Sequence, residues 1–351
     1  QMFRGGVARL GRTASSIPSK APRILWRARL GRAIYAAPRP LLDGSVIAAS
    51  IDGRIHRVGA RGRVLWTRHL GGAIFTTPAV AGRSVFAGSD ADRMAALDLR
   101  DGHVRWTFRL GRCVDVPGVG PETVRCDADS SAAVAGETVY FGGDALYALA
   151  LDGSQRFRVE LPDHAQSSPA IGEDGTIYIA TRAGTLHAVS KDGKPRWTFN
   201  AKWQCEGTPA LWRGRVYFGC DDRQIYALDA RSGKKLWQYG VRAPVRASPA
   251  ITEQGLLVIG TYDHRVLGLD AASGALRWAF QAAAPVQASA VVDAAGRALV
   301  GCRDDHLYAF APDGAELWRL QLGGDIDGEA VFGERGVIYV GADDGVLYAL
   351  R

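Results

Sequence analysis

The sequence contains no run of about 18 apolar residues, the length a membrane-spanning helix requires, so no transmembrane helix is expected. Neither Cys-x-x-Cys nor His-Glu-x-x-His occurs, which removes the commonest spacings for a zinc site. The Cys-x-x-Cys-His of covalent haem attachment is missing. So are the Gly-x-Ser-x-Gly nucleophile elbow, the Walker loop and the dinucleotide fingerprint. No nucleic-acid-binding motif is found and the aromatic residues are taken up by an internal repeat, so nucleic acid is not an expected partner. No signal peptide is visible; with Gln1 in first place, the expectation is that a leader has been removed.

What is present is turn chemistry and repetition. The 351 residues include 43 Gly and 15 Pro and are 47% hydrophobic, which suits an all-β chain with a large core. An anchoring aromatic recurs at Trp26, Trp66, Trp106, Phe157, Trp197, Trp237, Trp278 and Trp318, at intervals of 40, 40, 51, 40, 40, 41 and 40. A period near 40 fits four short strands per unit, the signature of propeller blades. Four of the units open on a Ser/Thr-Pro-Ala segment, such as Ser168-Pro169-Ala170 or Thr208-Pro209-Ala210, the expected innermost strand. A β-rich run ending in small residues follows, for example Val216-Tyr-Phe-Gly219. The third strand reads Ile225-Tyr-Ala-Leu228 or Leu347-Tyr-Ala-Leu350, and a glycine turn such as Ser232-Gly233 leads into the fourth, which carries the aromatic.

The chain opens on a fourth strand, Ile24-Leu25-Trp26-Arg27, and closes on a third, Val346 to Arg351. A ring resolves both ends: the N-terminal strand completes the last blade and removes the free edges. The expected fold is an eight-bladed β-propeller with four antiparallel strands per blade. Residues 24–351 form a single domain in this reading, a monomer, with 1–23 a leader segment packed on or near it.

The [Asp/Ser]-Gly-x-x-x-Trp pattern, the Tyr226-Ala-Leu-Asp229 strand and the Ser-Pro-Ala strand resemble the quinoprotein-type, PQQ-like eight-bladed propeller repeats. These occur in PQQ-dependent alcohol and glucose dehydrogenases and in compact scaffolds such as the outer-membrane assembly factor BamB. Met2-Phe3-Arg4-Gly5-Gly6 is similar to the leader of compact secreted members. The resemblance covers nearly the whole chain and implies the fold more specifically than the function. The dehydrogenases carry an adjacent cysteine pair over the cofactor and long site-building insertions. No Cys-Cys occurs here and the blades are nearly uniform, so PQQ is not expected and no cofactor is assigned.

Charge and cysteine placement bound the setting. Residues 1–72 hold 14 Lys/Arg against Asp43 and Asp52, although the whole chain is only +7. One sector of the ring should be basic, either as a solvated surface or as a docking face for an acidic protein or a lipid headgroup layer. The long third unit owes its excess to an insertion bounded by Cys113 and Cys126. A disulfide there would stabilise by roughly 3 kcal/mol and implies an oxidising compartment, periplasmic or secreted. Cys205 and Cys220 are expected to lie close enough for a second disulfide, or for a soft-metal site with His164 or Glu206.

The repeat also places the channel mouth. Nine positions after each anchor stand Tyr35, Phe75, Asp129 (by alignment from Ser130-Ser131-Ala132), Gln166, Glu206, Arg246, Gln287 and Asp327. Two positions on, on the same side, are Ala37, Thr77, Ser131, Ser168, Thr208, Ser248, Ser289 and Glu329. Seven of these are small, and Glu329 breaks the pattern. Crowded carboxylates raise one another's pKa or bind a cation; a wide hydrated channel also needs polar lining. The loops between second and third strands carry Asp-rich turns, of which His264 and the Asp305–His306 pair are candidate acid/base groups feeding the mouth. Two functions stand from this reading: a non-enzymatic, extracytoplasmic protein-binding scaffold similar in role to BamB, or an enzyme or small-ligand or metal-binding propeller using the mouth.

Overall fold

The computed structural model describes residues 6–111 and 128–351. Eight separate four-stranded antiparallel sheets are arranged as blades, seven of them ordered in sequence from the innermost strand outward. Blade 5 is representative: Ala210–Trp212, Arg215–Cys220, Gln224–Asp229 and Lys235–Gly240. The eighth blade is completed from the other end of the chain. Ile24–Arg29 pairs antiparallel with Val346–Leu350 as its outer strand, and Arg23 and Arg351 exchange backbone hydrogen bonds of 2.8 Å. The predicted ring closure is therefore observed. The Cys113–Cys126 bridge lies outside the described residues.

Branched and aromatic residues of the second and third strands are buried on both faces, because each sheet is sandwiched between two neighbours. Outer strands alternate between half-buried and exposed positions. The anchor tryptophan explains the repeat's grammar. Its indole N–H donates to a carbonyl in the last turn of the next blade: Trp66 to Leu99 at 3.1 Å, Trp197 to Ala230 at 3.0 Å, Trp278 to Pro312 at 3.0 Å. Its ring lies over that turn's glycine; a Cβ on Gly233 would stand 2.7 Å from Trp197, and its φ of +70° is one that L-residues avoid. Sequence spacing of Gly and Trp thus encodes contact between blades, not within one. Trp318 faces the closing blade, which has no such turn, and donates instead to Pro18 of the N-terminal segment at 2.7 Å.

That N-terminal segment crosses the far end of the central channel. The N–H groups of Ile171, Leu211, Ile251 and Val292, at the ends of the inner strands of blades 4 to 7, donate to Val7, Ala8, Leu10 and Gly11. Arg9 is fully buried there. Its guanidinium donates to the carbonyls of Pro169 at 2.9 Å, Ala132 at 3.2 Å and Ser131 at 3.3 Å.

Candidate functional site

The inner strands begin two residues later than the sequence suggests. The Ser/Thr-Pro pair precedes the strand, and its groups are used around the ring instead of along the blade. The backbone N–H of Ala37 donates to Thr77 Oγ1 at 3.0 Å, that of Thr77 to Ser131 Oγ at 2.9 Å, and that of Ser131 to Ser168 Oγ at 3.0 Å. The chain continues from Ser168 to Thr208 at 3.2 Å, Thr208 to Ser248 at 3.0 Å and Ser248 to Ser289 at 3.1 Å. Six hydroxyls thereby satisfy six buried donors in a belt around the channel. The two positions of this set without a hydroxyl are Glu329 in blade 8 and Ala37 in blade 1, which joins the belt through its N–H alone.

Above the belt lies the mouth, a cavity of about 430 Å³. It is lined by Tyr35, Phe75, Asp129, Gln166, Glu206, Arg246, Gln287, Asp327 and Glu329, so all nine of these sequence-selected positions converge on one space. His264 and His306 are not among its lining residues. His264 occupies a turn at φ +65°. His306 approaches the carbonyl of its own turn residue Asp304 through Nδ1 at 2.6 Å, so its near partner is Asp304 and not Asp305. The Asp-rich loops do turn chemistry: Asp304 accepts from the Tyr308 hydroxyl at 2.7 Å and from the Ala283 N–H of the adjoining loop at 3.3 Å.

Charge at the mouth is arranged in clamps. Arg246 makes a two-pronged contact with Asp221, at 3.1 and 2.7 Å, and reaches Glu206 at 3.5 Å. Arg303 grips Asp327 likewise, at 2.8 and 3.1 Å, and also bonds Gln287. Tyr262 lies between the two guanidiniums, 5.3 Å from Arg246 and 5.5 Å from Arg303, and its hydroxyl donates to Gln287. The hydrogen bonds to Asp221 and Asp327 raise the pKa of each arginine, so both stay charged. Burial raises the pKa of Glu206, opposed by Arg246. Burial, then repulsion from Asp327, pushes Asp343 up to about 6. Tyr35 and Phe75 stack at 5.8 Å on the opposite lip. Among the described residues no three His, Cys, Asp or Glu side chains gather closely enough to hold a metal ion.

One feature of this face was not anticipated. Trp203, 66% exposed, projects beside a groove formed with Asp222, Arg223, Val241 and Pro244. Its loop is pinned by the Lys202 N–H to Asp222, the Cys205 N–H to Thr181, and a disulfide between Cys205 and Cys220. The bridge resolves the two readings of that pair in favour of a disulfide. Cys302 is free and buried, and burial pushes its thiol up to about 12.

Comparison with known proteins places this architecture. BamB from Moraxella catarrhalis superposes with a TM-score of 0.76 at 17% identity, covering 94% of this chain and 99% of that one. The quinohemoprotein alcohol dehydrogenase of Comamonas testosteroni superposes with a TM-score of 0.84 at 13% identity, covering 99% and 80%. By sequence, the outer membrane protein assembly factor BamB of Yersinia pestis is 28% identical over 170 residues, 46% of this chain and 42% of that protein. The Comamonas dehydrogenase is 27% identical over 121 residues, 30% of this chain and 17% of that protein. The matched regions thus span less than half the length of either relative. The family profile described as outer membrane protein assembly factor BamB matches residues 19–161 and 143–309, and the chain belongs to that PQQ-like propeller family.

Proposed function

We propose that this propeller is a non-enzymatic, extracytoplasmic scaffold that binds another protein through its mouth-side loops and serves in outer-membrane protein assembly, as the names of its BamB relatives state for them. The observation that carries the reading is Trp203. A large aromatic left two-thirds exposed on a loop held by a disulfide is a preformed anchor with little ordering cost on binding. The Cys205–Cys220 bridge supports an oxidising compartment. The basic sector of residues 1–72 supports an acidic partner or contact with a headgroup layer. Replacing Trp203 with Ala should weaken partner capture from the native envelope at least tenfold while the melting temperature holds; unchanged capture rejects this face.

The second reading keeps the mouth as a small-ligand site. It rests on four carboxylates, Asp129, Glu206, Asp327 and Glu329, facing one cavity with a single lining guanidinium and the Tyr35–Phe75 stack. Such a lining suits an organic cation. It does not fit PQQ, which carries several carboxylates of its own, because Arg246 and Arg303 are already clamped by Asp221 and Asp327. Glu206→Gln should then abolish cation binding without lowering stability, and binding that survives the change rejects the site.

A further inference from the structure

The channel's other end holds a second cavity, of about 290 Å³, on the far side of the hydroxyl belt from the mouth. Arg39, Leu41, Glu329, Val331 and Phe332 contribute to its wall, and residues 12–15 of the N-terminal segment close one side. Arg39 breaks the repeat. At the same inner-strand position blades 2 to 6 have alanine and blades 7 and 8 have valine.

A residue of this kind is seldom buried without a counter-charge at hydrogen-bond distance. Arg39 is 5% exposed. Its hydrogen bond among the described residues is a long one, from Nε to Pro78 O at 3.4 Å. Nη2 is enclosed and has no partner. Glu329 lies on the same wall, and its charge partly offsets the effect of burial on the guanidinium. Burial lowers the pKa of Arg39 to about 10, still far above neutrality, so the group remains a cation. Arg39 thus lines the cavity with most of the donor capacity of its planar fork unused. The partner shape that satisfies such a fork is a carboxylate or another planar oxyanion. The wall also holds an apolar patch (Leu41, Val291, Val331, Phe332) among the polar groups of Arg12, Thr13, Ser15, Glu329 and Glu334, and the cavity leaves space for on the order of ten water molecules' volume. An inorganic anion would leave that patch uncovered, whereas a short hydrocarbon would cover it.

From this geometry we infer that the far-end cavity is a binding site for a small monocarboxylic acid, its carboxylate held by Arg39 and its apolar body against Val331 and Phe332. The site lies across the belt from the mouth, with Glu329 shared between the two walls, and it stands or falls independently of the scaffold reading.

The test uses the full chain and sodium butyrate as the probe, with sodium chloride balancing ionic strength. Butyrate should give a saturable rise in Tm and a saturable heat of binding, and butyramide, its neutral counterpart, should give neither. Arg39→Met should lose the response, Arg39→Lys should weaken it at least tenfold by removing the fork, and Glu206→Gln at the mouth should leave it intact. Methyl spectra of the unaltered protein give a readout that does not depend on the variants folding: Val331 should shift on titration and Thr77 of the belt should not. Absence of a saturable butyrate effect, an equal effect of butyramide, or a response surviving Arg39→Met overturns the site. A response to inorganic phosphate in place of butyrate overturns the assignment of an organic acid.

Discussion

Replacing both Cys205 and Cys220 with alanine isolates what the disulfide contributes. Alanine is the suitable substitute because both positions are fully buried, and serine would add the cost of an enclosed hydroxyl. The bridge spans 15 residues, and closing a loop of that length restricts the unfolded chain by about 3 kcal/mol. An unfolding entropy of about 2.1 cal/mol/K per residue gives roughly 0.7 kcal/mol/K for a chain of 351 residues. The double variant should therefore melt about 4 °C lower if the ring unfolds as one unit. Calorimetry on both proteins under non-reducing conditions measures the difference. Thiol titration in denaturant should show the bridge as two thiols that appear only after reduction. A variant melting within 1 °C of the parent, together with two extra thiols in the unreduced parent, refutes the bridge and removes the structural support for an oxidising compartment.

Other outcomes follow from the same contacts. Asp343 has its pKa raised in the folded state to about 6, so its neutral form is the favoured one; its stabilising contribution is full below about pH 4 and is lost as pH rises through 6. Asp343→Asn should accordingly raise stability by on the order of 1 kcal/mol at pH 8, after discounting for partial exposure, and by almost nothing at pH 4, as read by urea melts at the two pH values. Ser248→Ala removes the acceptor of the buried Thr208 N–H and should cost about 1–3 kcal/mol, whereas a cost below 0.5 kcal/mol would show the belt to be dispensable. Trp66→Phe keeps the ring over the next blade's glycine but removes the 3.1 Å bond to Leu99, and chemical denaturation should show a loss of about 1 kcal/mol.

Much of this was legible in the sequence because propeller contacts repeat at one period. The interval between anchor aromatics located the blades, and counting nine residues on from each anchor reached the cavity wall in every blade, with Asp129 recovered by realignment. Glu329 stood out because it interrupts a run of small residues, and it is one of the two positions of that set without a hydroxyl. The same logic, carried two positions further, reaches Arg39 among alanines and valines. Trp203 was within reach as well: of nine tryptophans seven occupy anchor positions, which leaves Trp203 and Trp212 without a repeat role. The N-terminal segment was not legible, because it has no repeat register and its partners lie far along the chain, with Arg9 bonding to Pro169. The direction of His264 was not legible because a turn residue's side chain follows a local left-handed backbone, which spacing does not report.

The claim that the mouth-side face binds a protein is tested most directly by a photo-crosslinking residue placed at position 203, with a second at Leu317 on the outer strand of blade 7 as the control, in cells of the native host. A discrete, reproducible adduct of one additional polypeptide from position 203, absent from position 317, is the predicted result. Position 203 giving no adduct, or the same adducts as position 317, contradicts the account and leaves the channel as the place to look for function.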